Sequence, residues 1–253
     1  MGDPRFNMYK AAPEYYDATL SPEFIAECYM PIRHAVEGLL ASGCRSVLDL
    51  CCGTGVIAEL LGDLDAVDYL GLDINEDFVA FSRRRLAGNA GFRFQAADLL
   101  SFQLEGTADI ILMINAYHHF KNADKSAVLG KVRHWLSSGG AVIVYEMCIA
   151  ENRSQEMFRR ANIDYYEKRI DWIEKTETVT PEQRTAWQNA RDLSASMEDE
   201  YKVDFTYITE DFKRGGFSIE HVDRIWPPPG VTLFEVPQVG EFLFQLRKGA
   251  PDD

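Results

Sequence analysis

The sequence predicts a doubly wound α/β domain, and three observations support that prediction. Short apolar runs rich in Val, Ile, Leu, Tyr and Phe alternate with helical patterns through residue 150. A glycine-rich turn, DLCCGTG, ends the first of these runs and opens a helix. The chain length of 253 residues suits one hydrophobic core, so we expect a single domain over 1–253. In such sheets, ligands bind beyond the carboxyl ends of the strands.

The core of this domain is predicted over residues 43–150. Its strands are the runs SVLDL, YLGLD, FRFQA, DIILMIN and AVIVYEM, whose composition is typical of buried parallel strands. Its helices are expected from Val56 to Leu64, from Glu76 to Leu86 and from Asp124 to Leu136. The last helix is followed by SSGG, which favours a turn before the fifth strand.

Three segments flank the predicted core. Residues 1–42 contain a helix that begins at SPE, with Pro at the first helical position. Residues 151–205 carry two charged helical patterns, the second of which begins at TPE. Residues 206–253 hold two β-rich runs, FSIEHVDRIW and EFLFQLRK, joined by a proline-rich loop. That stiff loop either forms a wall over the site or only joins two strands.

Composition and charge narrow the classes of function. The net charge of −14 disfavours long polynucleotide partners, because nucleic-acid binders usually present a basic face. No run approaches the ~20 apolar residues of a membrane-spanning helix, and the initial MGDPRFNMYK is too polar for a secretory signal. We therefore expect a cytoplasmic protein without a membrane partner, whose five cysteines are reduced thiols.

The residues of the glycine turn exclude two of the three ligand classes considered for it, a metal ion and a triphosphate. Cys51 and Cys52 are adjacent, and no second pair with zinc-ligand spacing occurs, so no metal is expected. A triphosphate loop needs Lys and then Ser or Thr after the second Gly, where Val-Ile stands. The run GTGVIA from Gly53 satisfies the dinucleotide fingerprint, which leaves NAD open at this point.

Further residues make the chain resemble the class I S-adenosylmethionine-dependent methyltransferases of small molecules. In that family an acidic residue stands four positions before G-x-G, as Asp49 does before Gly53 and Gly55. Another ends the second strand, here Asp73, and an Asp follows the third strand, here Asp98. A segment like NAYHH follows strand four, and a Gly-Gly turn precedes strand five, in family order over residues 46–147.

This resemblance implies a seven-stranded Rossmann-like methyltransferase sheet closed by a C-terminal antiparallel hairpin. It also implies an N-terminal helical lid over 1–42 and a helical insertion over 151–205 that acts as a substrate roof or homodimer arm. The cofactor is then S-adenosylmethionine, which leaves as S-adenosylhomocysteine, with Asp73 on the ribose hydroxyls and Asp98 facing the adenine amino group. The residues expected to contact the cofactor are Tyr16, Asp49, Cys51, Gly53, Gly55, Asp73, Ile74, Asp98, Leu99 and Asn115.

The resemblance leads us to expect methyl transfer to a nitrogen or oxygen atom of a small organic molecule, such as a natural-product intermediate. His118 and His119 follow strand four, where either serves as a general base or packs the loop. Tyr15, Tyr117 and Trp226 are expected to contact the substrate, although ordinary packing explains the Tyr15-Tyr16 pair equally well. The alternatives are a tRNA-modifying methyltransferase and a cofactor-binding enzyme or regulator that transfers no methyl group.

Overall fold

A mixed β-sheet forms the centre of the computed structural model, which describes residues 13–17, 20–64, 67–176, 178–196 and 200–249. Its strands are β1 (Ser46–Leu50), β2 (Asp68–Asp73), β3 (Phe92–Ala96), β4 (Ala108–Ile114), β5 (Leu136–Cys148), β6 (Phe217–Trp226) and β7 (Gly240–Lys248). They lie in the order β3-β2-β1-β4-β5-β7-β6. The first five are parallel, and β7 pairs antiparallel with both β5 and β6. The predicted seven-stranded sheet with its C-terminal antiparallel hairpin is confirmed.

Helices cover both faces of the sheet. They are α1 (Pro13–Asp17), α2 (Pro22–Phe24), α3 (Met30–Ala41), α4 (Val56–Leu61), α5 (Glu76–Arg85), α6 (Asn122–Trp135), α7 (Gln155–Thr176), α8 (Pro181–Ser196) and α9 (Phe205–Arg214). A π-helical turn, Ile25–Tyr29, joins α2 to α3. Side-chain caps fix several starts: Ser21 Oγ accepts from Phe24 N at 2.9 Å, and Asp204 Oδ1 accepts from Tyr207 N at 2.8 Å. None of the helices in these ranges combines the length and apolarity needed to cross a bilayer.

Neighbouring residues of the central strands point to opposite faces of the sheet and build two cores. Val47 and Ile110 pack in the cluster that contains helices α3 and α4. Leu48 and Ile111 pack in the cluster that contains helices α6 and α9. Burial on both faces explains the nearly continuous apolar runs of the sequence. The strand order reverses between β1 and β4, which opens a crevice at their carboxyl ends.

The fifth strand is longer than the sequence predicts. Helix α6 ends at Trp135, and Leu136 already pairs with Ala108 of β4, with a register shift before Ile110. The SSGG segment that predicts a turn therefore lies inside β5. Gly139 has a φ of 88°, so the irregular start of this strand includes a backbone conformation that favours glycine.

The inserted helices α7 and α8 pack on their own chain. Their aromatic residues form a third buried cluster with the loop that follows β6. The buried face of α7 consists of Phe158, Asn162, Tyr165, Tyr166, Arg169 and Ile173. It includes a fully buried arginine, which the charged pattern of this segment does not predict. Homodimerisation through 151–205 stays a prediction.

Candidate active site

The glycine turn between β1 and α4 has an unusual backbone conformation. Cys51, Gly53 and Gly55 have φ angles of 60°, 55° and 79°. The turn is held from below, because Cys52 N donates to Leu72 O at 2.9 Å and Ser82 Oγ donates to Gly53 O at 3.0 Å. Left-handed backbone of this kind turns the chain sharply and lets a ligand approach closely where glycine stands.

Asp73 ends β2 beside this turn. Its carboxylate accepts hydrogen bonds from Gly53 N and Asn75 N, each at 2.9 Å. Burial raises the pKa of Asp73, and these backbone donors offset part of the increase. Strand and hydrogen bonds together fix the carboxylate at the carboxyl edge of the sheet, as the sequence predicts for this position.

Asp49, in β1, is buried under the turn. Its carboxylate accepts a short hydrogen bond from the hydroxyl of Tyr69. Burial raises the pKa of Asp49 to about 7, since water no longer solvates the charged form, and the hydrogen bond from Tyr69 opposes this increase. A cationic group placed against Asp49 would favour the ionised form.

A first cavity, open to solvent, lies above these residues and contains about 350 Å³ of empty space. It is lined by Tyr16, Leu20, Tyr29, Asp49, Cys51, Cys52, Gly53, Thr54, Val56, Ile57 and Ile114. Four of the predicted cofactor contacts, Tyr16, Asp49, Cys51 and Gly53, are therefore brought together. A Cβ added at Gly53 would meet no atom within 4 Å, so the turn leaves open space on that side.

Other predicted cofactor contacts lie at the neighbouring strand ends. Ile74 follows β2 with 73% of its side chain exposed, an unusual position for a large apolar residue. Asp98 is exposed after β3, and its Oδ1 accepts from Leu100 N at 2.9 Å. Leu99 is buried in the core, so its cofactor contact stays a prediction. Gly55 packs against Ser82 instead of lining the cavity.

Helix α1 is tied directly to the glycine turn. Asp17 accepts a hydrogen bond from Thr54 Oγ1 at 2.7 Å and forms an ion pair with Arg85. The same guanidinium donates to Thr54 O at 3.0 Å. This arrangement brings Tyr16 over the turn, with its ring centroid 5.6 Å from that of Phe78. The side chain of Tyr15 lies outside the described residues.

A second cavity, also open to solvent, adjoins the first and contains about 550 Å³ of empty space. It is lined by Tyr16, Leu20, Phe24, Tyr29, Asn115, His118, His119, Met147, Tyr166, Ala186, Trp187 and Ala190. Tyr16, Leu20 and Tyr29 belong to both linings, so the two spaces meet along the N-terminal segment. Helix α8 supplies Ala186, Trp187 and Ala190 to the lining of the second cavity.

Asn115 stands where β4 ends and faces this second cavity. Its φ of 50° is a conformation that Asn tolerates better than most residues. Its Nδ2 lies 3.4 Å from the hydroxyl oxygen of Tyr29, whereas its buried Oδ1 has no hydrogen-bond partner among the described residues. A buried acceptor of this kind favours a ligand that brings a donor.

His118 is held firmly by a carboxylate. Its Nδ1 lies 2.6 Å from Glu146 Oε1, and its backbone N donates to Glu146 Oε2 at 3.2 Å. Because an ionised carboxylate only accepts, Nδ1 carries a proton, and Nε2 lies on the side of the ring that faces Glu200. Burial would raise the pKa of Glu146, but His118 and then Lys202 outweigh it and lower that pKa.

Glu200 completes a cluster with the two histidines. Its Oε2 lies 3.6 Å from His118 Nε2, and the ring centroids of His118 and His119 are 4.2 Å apart. The ammonium of Lys202 forms a buried ion pair with Glu200. Burial opposes ionisation of Glu200, yet the attraction of Lys202, then of the histidines, lowers its pKa to about 2. This carboxylate is therefore charged at neutral pH.

The structure places two predicted substrate contacts away from both cavities. The side chain of Tyr117 is fully buried, its hydroxyl donates to Asp211 of α9, and it does not line the second cavity. Trp226 is also fully buried, with its ring centroid 5.5 Å from that of Tyr165 and 4.7 Å from Arg169 Cζ. It packs beneath the insertion and lines neither cavity described above.

Sequence reasoning missed Glu146, Glu200, Lys202 and Asp17. Glu146 left a signal, because a charged residue inside the apolar run AVIVYEM must be paired when that run is buried. The sequence gives no signal for Glu200, because it is one of several acidic residues in the run MEDEYK.

Comparison with known proteins agrees with this geometry. A family model described as "Methyltransferase domain" matches residues 47–140, which include the glycine turn and both histidines. An uncharacterised methyltransferase of Bacillus cereus is 22% identical over 206 residues, covering 81% of this chain and 85% of its own.

Solved structures show the same fold. DhpI in complex with SAH superposes with a TM-score of 0.59 at 19% identity, covering 98% of this chain and 97% of DhpI. The mitomycin 7-O-methyltransferase MmcR superposes with a TM-score of 0.55 at 13% identity, covering 84% of this chain but only 52% of MmcR.

Proposed function

We propose that the chain is a class I S-adenosylmethionine-dependent methyltransferase that transfers the cofactor's methyl group to an oxygen or nitrogen of a small organic acceptor. One observation carries this proposal. Two cavities at the carboxyl ends of the strands share Tyr16, Leu20 and Tyr29, and only the first touches the glycine turn. A cofactor in the first cavity would therefore present its methyl group to an acceptor in the second.

The residues around the first cavity fit the methionine end of this cofactor. Its ammonium group would compensate the buried carboxyl of Asp49, whose pKa of about 7 leaves it poised to ionise. Asn115 of the adjoining second cavity has a buried Oδ1 without a partner among the described residues, and the same ammonium group would bring a donor toward it. The open space at Gly53 lets the ligand contact bare backbone.

The rim of the sheet suits the adenosine end. The exposed side chain of Ile74 would be covered by the adenine ring, which removes apolar surface from water. Asp73 offers a fixed carboxylate to the ribose hydroxyls. Asp98 is exposed and would face the adenine amino group.

The second cavity favours a flat, largely apolar acceptor. Aromatic rings of Phe24, Tyr166 and Trp187 form much of its lining, and the N-terminal segment and α8 would serve as its roof. The buried pair of His118 and Glu146 favours a hydroxyl nucleophile, because a hydroxyl must lose its proton during transfer. The likeness to MmcR, a 7-O-methyltransferase, supports the same choice.

Calorimetric titration with S-adenosylmethionine, S-adenosylhomocysteine and NAD tests the proposal first. We expect micromolar binding of the first two ligands, lost in Asp73→Ala, and no binding of NAD. A panel of phenols and amines is then incubated with S-adenosylmethionine and searched by mass spectrometry for methylated product. Binding of NAD alone would overturn the proposal.

A second test addresses the histidine. His118→Gln should lower kcat for a hydroxyl acceptor by roughly 10²–10⁴-fold while cofactor affinity is kept. The exposed His134, replaced by Gln, is the matched control. An unchanged kcat in His118→Gln would remove this residue from the reaction.

A further inference from the structure

We infer that His118, His119 and Glu200 bind one divalent transition-metal ion in the wall of the second cavity. Each of the three residues offers one ligand atom, and these atoms all lie within 4.8 Å of one another. Two of the residues, His118 and His119, also line the cavity. The catalytic role of such an ion, though not its binding, rests on the proposed function.

The separation of His118 and Glu200 suits a metal ion better than a direct contact. His118 Nε2 and Glu200 Oε2 are 3.6 Å apart, which is long for a hydrogen bond. Two ligands bonded at about 2.1 Å to a tetrahedral ion lie roughly 3.4 Å apart. Only a small adjustment would therefore place one ion between these two atoms.

His118 is already oriented as metal-bound histidines are. Its Nδ1 proton is held by Glu146 Oε1 at 2.6 Å, so the lone pair of Nε2 is directed toward the cluster. Its carbonyl oxygen accepts from Tyr201 N at 2.6 Å, which ties the segment carrying Glu200 to the histidine turn. The site is thus preorganised although its ligands are far apart in sequence.

The nature of the ligands selects the class of ion. Two imidazole nitrogens and one carboxylate oxygen suit Zn²⁺, Fe²⁺, Co²⁺ or Ni²⁺, whereas Mg²⁺ and Ca²⁺ prefer oxygen ligands. Three protein ligands leave at least one position open toward the cavity, as in catalytic sites.

The charges around the cluster also fit an ion with an anionic acceptor. The carboxylates of Glu146 and Glu200 and the ammonium of Lys202 sum to one net negative charge when both histidines are neutral. A divalent ion would turn this into one positive charge, and an acceptor bound as its alkoxide or phenolate would neutralise it. Lys202 remains paired with Glu200 and therefore competes with the ion for that carboxylate.

Such an ion would lower the pKa of an acceptor hydroxyl. In this arrangement His118 Nε2 holds the ion and is not the general base, so the hydroxyl proton passes to solvent and the oxygen attacks the methyl carbon. As the new C–O bond forms, the C–S bond breaks, and its electron pair stays on the sulfur of S-adenosylhomocysteine. No oxidant or further reactant is needed.

The test is metal binding by the full chain. Protein dialysed against a chelator is titrated with Co²⁺, followed by visible absorption, and then with Zn²⁺ in competition. We expect one equivalent per chain with a tetrahedral or five-coordinate Co²⁺ spectrum. Affinity should fall at least 100-fold in His119→Ala and in Glu200→Gln, and should be kept in the exposed control His134→Ala.

Glu146→Gln separates positioning from ligation. It keeps all three ligands but weakens the hold on His118, so Co²⁺ affinity should fall roughly 10–100-fold with an unchanged stoichiometry. Thermal unfolding verifies that each variant is folded. Binding below one equivalent, or equal binding in wild type and Glu200→Gln, would overturn the metal site. Calorimetry of S-adenosylhomocysteine on the metal-free protein distinguishes this failure from a failure of the proposed function.

Discussion

Two glycines of one turn have different surroundings, and alanine at each position should separate folding from cofactor binding. Gly53 and Gly55 both have positive φ, at 55° and 79°. A Cβ at Gly53 would meet nothing within 4 Å, whereas one at Gly55 would lie 2.9 Å from Oγ and 3.0 Å from Cβ of Ser82. Gly53 lines the first cavity, and Gly55 packs on α5.

The expected free energies of unfolding follow from these distances. Left-handed backbone costs an alanine ~1–2 kcal/mol, and the loss of glycine's freedom in the unfolded chain returns ~0.4–1 kcal/mol. Gly53→Ala should therefore destabilise by about 1 kcal/mol. Ser82 Oγ donates to Gly53 O and Phe78 O, each at 3.0 Å, so it resists displacement by a new methyl group. Overpacking adds ~1–3 kcal/mol, which makes the loss for Gly55→Ala about 2–4 kcal/mol.

Thermal unfolding and calorimetry on the cofactor-free protein measure both effects. Gly55→Ala should lower the melting temperature by roughly 5–15 °C, at about 2–4 °C per kcal/mol for a chain of this size. Gly53→Ala should lower it by only a few degrees but weaken S-adenosylhomocysteine binding at least tenfold. Gly88, which also has open space around it but no positive φ, is the control. Equal melting temperatures for Gly53→Ala and Gly55→Ala, or unchanged binding in Gly53→Ala, would refute this reasoning.

Three further predictions concern buried and partly buried charges. Since burial raises the pKa of Asp49 to about 7, cofactor affinity should rise about tenfold between pH 6 and pH 8, and calorimetry of Asp49→Asn should show no such rise. Arg169 is fully buried, with its Nε 3.3 Å from Glu241 Oε1, so Glu241→Gln should lower the free energy of unfolding in urea by about 3 kcal/mol. A decrease of less than about 1 kcal/mol would contradict this. Asp17→Asn breaks the ion pair with Arg85 and should weaken cofactor binding while the melting temperature changes little, because partly exposed pairs contribute ~1 kcal/mol or less.

The cofactor half of the site could be predicted because it is local in sequence. Asp49, Gly53 and Asp73 each lie in or just after a strand, and a parallel sheet brings the ends of its strands to one edge. The glycines also indicated a sharp turn after β1, since only glycine readily adopts the φ of 79° found at Gly55.

The acceptor half could not be predicted in the same way. His118 could be predicted as a site residue because it follows β4. Its neighbour Tyr117 points into the core instead, because successive residues of a tight 3-10 turn face different directions. Glu200 approaches His118 only after two inserted helices, and no local pattern predicts that return. Hydropathy also counts Arg169 as a surface residue, although it is fully buried.

The shared walls of the two cavities have a consequence for the order of binding. Tyr16, Leu20 and Tyr29 all lie on the N-terminal segment. This segment is held at one end by Asp17 on the glycine turn, and Arg169 of the insertion lies 5.2 Å from the ring centroid of Phe24. A cofactor that packs against these tyrosines fixes one wall of the acceptor cavity, so the acceptor should bind more tightly when the cofactor is present. Because such coupling is reciprocal, the acceptor should tighten cofactor binding by the same factor.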